Sequence, residues 1–207
     1  PTAFPNAAVL QLDENLGRMK VTTMAGDTDG DGDYDEIYGY GGRSFSIWDL
    51  DGNLVFDSKN EITRILAEQF PDNYPASRDD DKGAEPESVT IGKIGSRTFA
   101  FVGLERATGV MVYDITDPAN STFVQYYNKD VNDRSPEGLI FVSADESTDG
   151  KPYLISTNEA YDDYEGSVSA YSISGLDGET WVEINNTDIN KMLHYQDEAI
   201  AVGATMF

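Results

Sequence analysis

The chain has 207 residues, enough for one domain with a sizeable core or two small ones, and its 39% hydrophobic content is that of a globular protein. With 14 Lys and Arg against 38 Asp and Glu, a net charge of −24 argues against nucleic acid or anionic lipid as partners and favours cations. The lack of cysteine excludes disulfides, thiolate catalysis and Cys-based zinc sites, and no apolar run approaches the roughly 20 residues of a membrane span, so no membrane insertion is expected.

The chain opens at Pro1 with neither Met nor a signal peptide, which predicts a processed start or a piece of something larger. Residues 1–17 read as an N-terminal segment with a helix over 7–17, closed by Gly17. RMKVTTMAG (18–26), EIYGYGG (36–42), SFSIWDLDG (44–52) and LVFDS (54–58) then supply four short strands, with Asp51-Gly52 as a two-residue hairpin turn.

Between the first two of these strands lies GDTDGDGDYDE (26–36), with six carboxylates and no basic residue. Asp27, Asp29, Asp31, Gly32 and Asp35 spell D-x-D-x-D-G-x-x-D. Alternating acids in a tight loop converge on one point, Gly32 permits the sharp turn, and the carbonyl of Asp33 can add an oxygen. Oxygen-only ligation by several acids is calcium chemistry. An EF-hand needs a glutamate at the twelfth position, which here is Tyr38, and both flanks are strand-like. A bound divalent cation would turn mutually repelling charges into ligands.

A second helix is expected over 61–70, followed by a long Pro- and Asp-rich loop over 70–87 of the kind that is usually functional. A repeat then becomes visible. Pro86-Glu87, TFAFVGLER (98–106) and GVMVYDITDP (109–118) are answered by Pro136-Glu137, PYLISTNEA (152–160) and GSVSAYSISG (166–175). Strands this short at a repeat near 50 residues predict an all-β fold of β-propeller blades, about three in this chain: 18–60, 85–125 and 136–175, within a propeller region of 18–180. Closed propellers need roughly four to eight blades, so the remaining blades are expected from another chain or from the rest of the same propeller. Trp48, Tyr113 and Tyr171 fall at equivalent positions and read first as blade packing. Residues 181–207 read as a helical tail, with a helix over 188–202 that carries the lone histidine, His194. A single polar-flanked histidine gives little support to Ser-His-Asp or zinc chemistry.

Several phrases together, GDTDGDGDYDEIYGYGGRSFSIWD (26–49), SRDDDKGAEPESVTIG (77–92), FVGLERATGVMVYDITDP (101–118) and SPEGLIFVSADESTDGKPYLISTNE (135–159), resemble the choice-of-anchor I family. The acidic loop itself resembles the calcium-binding β-hairpin loop of integrin-type propeller repeats. The family resemblance implies a secreted, extracellular or cell-surface protein with a seven-bladed propeller, and some members carry the names alkaline phosphatase or phytase-like. This sequence departs from the family's wording in an extra acid at Asp79-Asp80-Asp81 and in a longer acidic loop, Ala160 to Gly166.

Glu87 and Glu137 open equivalent strands, and Glu105 and Glu159 close the next ones. With Glu85 they could hold a second metal at the mouth of a propeller channel. Arg43, Arg78, Lys82 and Arg106 could pair with these acids or hold a phosphate. Three readings follow: an Arg–Glu network that pins blades, a metal site, or a catalytic phosphate site. The leading expectation is an extracellular calcium-binding module for surface assembly or adhesion, and the rival is a calcium-dependent phosphoesterase.

Overall fold

The short alternating segments form mostly β structure. In the computed structural model, which describes residues 3–128, 134–160, 166–174 and 183–186, strands make three antiparallel sheets and helices are few. The chain divides into two units, Pro1–Pro86 and Glu87–Phe207.

In the first unit, helix α1 spans Ala7–Leu10, shorter than the 7–17 expected. Asn15 Nδ2 donates to the carbonyl of Val9 at 2.7 Å, and the amides of Leu16 and Gly17 turn back to Leu10 and Leu12, so the chain coils into turns. Asp13 and Glu14 would also sit at the negative end of a continued helix, where acids are unfavourable. The four strands expected over 18–58 reduce to an isolated antiparallel bridge, Val21 to Gly39, and a two-stranded sheet of β1 (Ser46–Trp48) and β2 (Leu54–Asp57).

Their connection is also not the two-residue turn expected at Asp51-Gly52. The amide of Gly52 donates to the carbonyl of Asp49 at 3.1 Å and that of Asp49 to the carbonyl of Asn53 at 3.0 Å. Only Gly52, at φ +83°, is left-handed within this turn, so it is a three-residue loop closed by a glycine bulge. Asp49 reinforces it by accepting from Asp51 N and Asn53 N.

Helix α2 spans Glu61–Gln69, close to expectation. Ile62, Ile65 and Leu66 bury one face, Arg64 lies between Glu61 and Glu68 on the other, and the helix stops before Pro71. The loop beyond is pinned from within the same unit. Lys20 N donates to the carbonyl of Asp80 at 2.8 Å, Lys20 Nζ meets Asp81 at 3.1 Å, and Arg43 Nη2 donates to the carbonyl of Asp79.

The second unit holds two four-stranded antiparallel sheets. The first runs in chain order through β3 (Pro86–Ile94), β4 (Arg97–Leu104), β5 (Gly109–Asp114) and β6 (Thr122–Tyr127). The other runs likewise through β7 (Pro136–Val142), β8 (Tyr153–Asn158), β9 (Ser167–Ser174) and β10 (Glu183–Asn186). β10 falls inside the segment expected as a helical tail, so that expectation is corrected at 183–186, where pairing with β9 supplies the sheet's fourth strand. The helix expected over 188–202, with His194, lies outside the described residues. None of the three sheets closes on itself.

The two sheets share a core in which Phe99, Phe101, Val110 and Val112 meet Leu154, Tyr171 and Ile173. Their register fixes how they stack. Ala100 pairs with Tyr113 and Leu154 with Tyr171, so the repeat aligns Ala100 with Leu154 and Tyr113 with Tyr171. Leu154 and Tyr171 point into the shared core, whereas Ala100 and Tyr113 lie on the opposite face of their own sheet, because side chains alternate along a strand. Equivalent faces therefore point the same way, and the sheets stack front to back. Two sheets facing each other across a sandwich would turn equivalent residues toward one another.

The repeat extends to backbone strain. Glu85 and Ser135, each preceding the Pro of a Pro-Glu pair, have φ +52° and +53°. Non-glycine residues seldom take this conformation, and a following proline restricts the backbone further.

Candidate metal centre and the paired basic residues

The acidic loop folds around its own carboxylates. The amides of Asp35 and Glu36 donate to the carbonyl of Gly26 at 2.7 and 3.0 Å, which closes the base. Asp27 accepts from Gly30 N at 2.6 Å and from Gly32 N at 3.1 Å, and Gly30 and Gly32, at φ +80° and +94°, supply turns that a side chain would strain. Asp29 accepts from Asp31 N and Asp31 from Asp33 N.

Asp35 accepts from both the hydroxyl and the amide of Thr28, at 2.7 and 3.0 Å. Those bonds, the hydroxyl's first, hold the Asp35 carboxyl below its ordinary range. Thr28 gives no signal in the spacing of the acids; only its place between two of them hints at the role.

Oxygens of Asp27, Asp29 and Asp35 lie within 4.8 Å of one another, so the loop gathers three of the four carboxylates expected as side-chain ligands. The Asp31 side chain is not part of this group. A carboxylate has about four lone-pair sites, so the amide bonds leave capacity for a cation. The donor set is all oxygen and the loop sits in water, which suits calcium. Beside it, Asp33, Tyr34 and Glu36 form one wall of a groove of about 450 Å³ whose other walls include Leu10, Met19 and Val21.

The glutamates divide. In the second unit Glu105, just past β4, Glu137 on β7 and Glu159, just past β8, bring oxygens within 4.8 Å of one another, so both sheets contribute. Glu105 is buried and the other two are exposed. The amide of Glu159 donates to the carbonyl of Ser135 at 2.9 Å, which ties the strained residue to this end of the sheet. Glu87, exposed on β3, also brings a carboxylate oxygen within 4.8 Å of one from Glu105, whereas Glu85 lies in the first unit.

All four candidate anion-binding cations have carboxylate neighbours. Arg78 Nη2 is 2.5 Å and Lys82 Nζ 2.9 Å from the buried Glu85, Arg106 Nη2 is 2.7 Å from Glu105, and Arg43 Nη1 is 3.6 Å from Asp79. Asp79 also accepts from Tyr74, whose hydroxyl is pushed up to about 12, first by burial and then by that bond. A phosphate would have to displace these acids; the pairs of Arg43, Arg78 and Lys82 lie within the first unit, and Arg106 pairs with its sequence neighbour.

The model of the choice-of-anchor I domain matches residues 1–118, more than half of the chain. The chain belongs to the choice-of-anchor I family. Gigasin-3a of Magallana gigas is 28% identical to this family member over 198 residues, covering 81% of this chain and 68% of that protein. The mesenchyme-specific cell surface glycoprotein of Strongylocentrotus purpuratus is 25% identical over 111 residues, 43% of this chain and only 14% of that protein. No solved structure matches. The match to the choice-of-anchor I domain includes the acidic loop and the pinned loop 70–85, but not the acids Glu137 and Glu159.

Of the three aromatic residues expected to pack, Tyr113 and Tyr171 are buried in this choice-of-anchor I chain, whereas Trp48 is 59% exposed. No helix among the described residues is long and apolar enough to cross a membrane.

Proposed function

We propose that this chain is an extracellular, calcium-stabilised module of β-propeller type with a role in surface assembly or adhesion. The observation that carries it is the convergence of Asp27, Asp29 and Asp35 in a loop whose amides and glycines are already arranged around them. An unfolded chain cannot present that arrangement, so calcium bound there stabilises the folded state by mass action. Front-to-back stacking of two four-stranded sheets supports the propeller, in which successive blades are related by rotation without a flip. Family membership and the cell-surface glycoprotein relative support a place outside the cell. Pairing of Arg43, Arg78, Lys82 and Arg106 with acids favours a module over a phosphoesterase. The group of Glu105, Glu137 and Glu159 is a second candidate for calcium, one that would clamp two blades.

Terbium, a luminescent stand-in for calcium, tests the loop because Tyr34 lies within it as a sensitiser. Tyrosine-sensitised emission that calcium displaces is expected, and Asp27→Asn with Asp29→Asn should abolish most of it. Emission unchanged in that double variant would place the cation elsewhere.

A further inference from the structure

Among the described residues, the front-to-back stack leaves one sheet face without its counterpart. The face of the first sheet that holds Phe99, Phe101, Val110 and Val112 is covered by the second sheet. By the register, the same positions in the second sheet are Tyr153, Ile155, Val168 and Ala170, on its outer face. There Val168 is 49% exposed and Ile140, beside them on β7, 59%, while Ala170 is buried between its neighbours on the strands. That face has the make-up of an interface already built once in the same unit.

What seats on such a face is also visible. Tyr171, third-strand residue of the second sheet, packs its ring edge-on against Tyr127 with centroids 5.0 Å apart. The residue at the same repeat position in the first unit is Trp48, in Ile47-Trp48-Asp49 against Val112-Tyr113-Asp114. Trp48 pairs in register with Leu54, and both are exposed, at 59% and 52%, on one face of the β1–β2 hairpin. The opposite face of that hairpin is half-buried, with Phe56 against Phe45 at 5.5 Å.

The geometry points to head-to-tail self-association: the Trp48–Leu54 face of one copy seats on the outer face of β7–β10 of a second copy, as Tyr171 seats on the first sheet. This rests on the front-to-back reading of the repeat, but not on the acidic loop. The contact is heterologous, so it joins two different surfaces and leaves one of each open until a ring closes. A net charge of −24 opposes the approach of two copies, so the contact forms in moderate salt with calcium and weakens at low ionic strength.

The test uses the whole chain in salt and calcium, with mass measured by sedimentation over a range of concentrations. Wild type should associate as concentration rises. Trp48→Asp removes the head and Val168→Asp the tail, so each variant alone should stay monomeric. Both positions are exposed, and circular dichroism checks that the variants fold; Leu54→Asp and Ile140→Asp serve as second choices. Mixing head and tail variants leaves one intact head and one intact tail, so the mixture should form dimers and stop there. A wild type that is monomeric at every concentration overturns the proposal, as does association of either single variant alone or a mixture that fails to dimerise. Loss of terbium binding in the loop variant with self-association intact would separate this contact from the calcium reading.

Discussion

Asp35 and Asp49 show how single side chains hold this protein's loops. Asp35 is held down by Thr28, and Asp49 by the side chain of Asn53 and then by its backbone amide, with the amides of Asp51 and Gly52 adding smaller parts; both carboxyls sit below their ordinary range despite some opposing desolvation. A depressed folded pKa contributes stability that is present above the unfolded value, about 4, and lost as pH falls through the folded one. Denaturation midpoints should therefore hold steady from neutral pH down to about 5 and drop below about 4. Thr28→Val should flatten part of that drop. A midpoint that rises on acidification would show that relief of charge repulsion outweighs these bonds. The acids were legible as a site because their spacing is local. Which three converge was not, since that depends on amides of Gly30 and Gly32 that the residue types do not reveal.

Sheets and turns were legible to different degrees. Pro-Glu at 86 and 136 marks β3 and β7, and the apolar strands that follow lie near their expected places. β10 carries no such mark: Glu183-Ile184-Asn185-Asn186 has one apolar residue, and pairing with β9 decides its state. The hairpin at Asp49–Asn53 defeated a dipeptide rule because the Asp49 carboxylate organises a longer turn. Between the sheets of the second unit, Gly92 is a point of contact no pattern announces: a Cβ there would lie 2.4 Å from the Phe141 ring. Gly92→Ala should destabilise the unit by about 1–3 kcal/mol, since the ring, stacked on Phe101, has little room to retreat. Urea unfolding measures this, and an unchanged midpoint would mean that the two sheets are not packed as described.

At the scale of the whole molecule, short strands and their repeat led to an all-β fold, which the sheets bear out, and the family resemblance led to a place outside the cell, with which membership of the choice-of-anchor I family agrees. The direction in which sheets stack was beyond the sequence, because it follows from which face each strand buries over long range. Trp48 is the instructive case: its repeat position predicts packing, yet its face is open. For a chain this acidic, cations can act through general screening and, under the proposed function, through ligation, and only ligation depends on particular carboxylates. Thermal unfolding of the intact chain in calcium and in chelator, at one ionic strength, separates them for wild type and for Asp27→Asn with Asp29→Asn. Calcium should raise the melting temperature of wild type well above that in chelator, and the loop variant should lose most of that rise. A calcium effect of equal size in wild type and variant, or none in wild type, would contradict ligation at the loop.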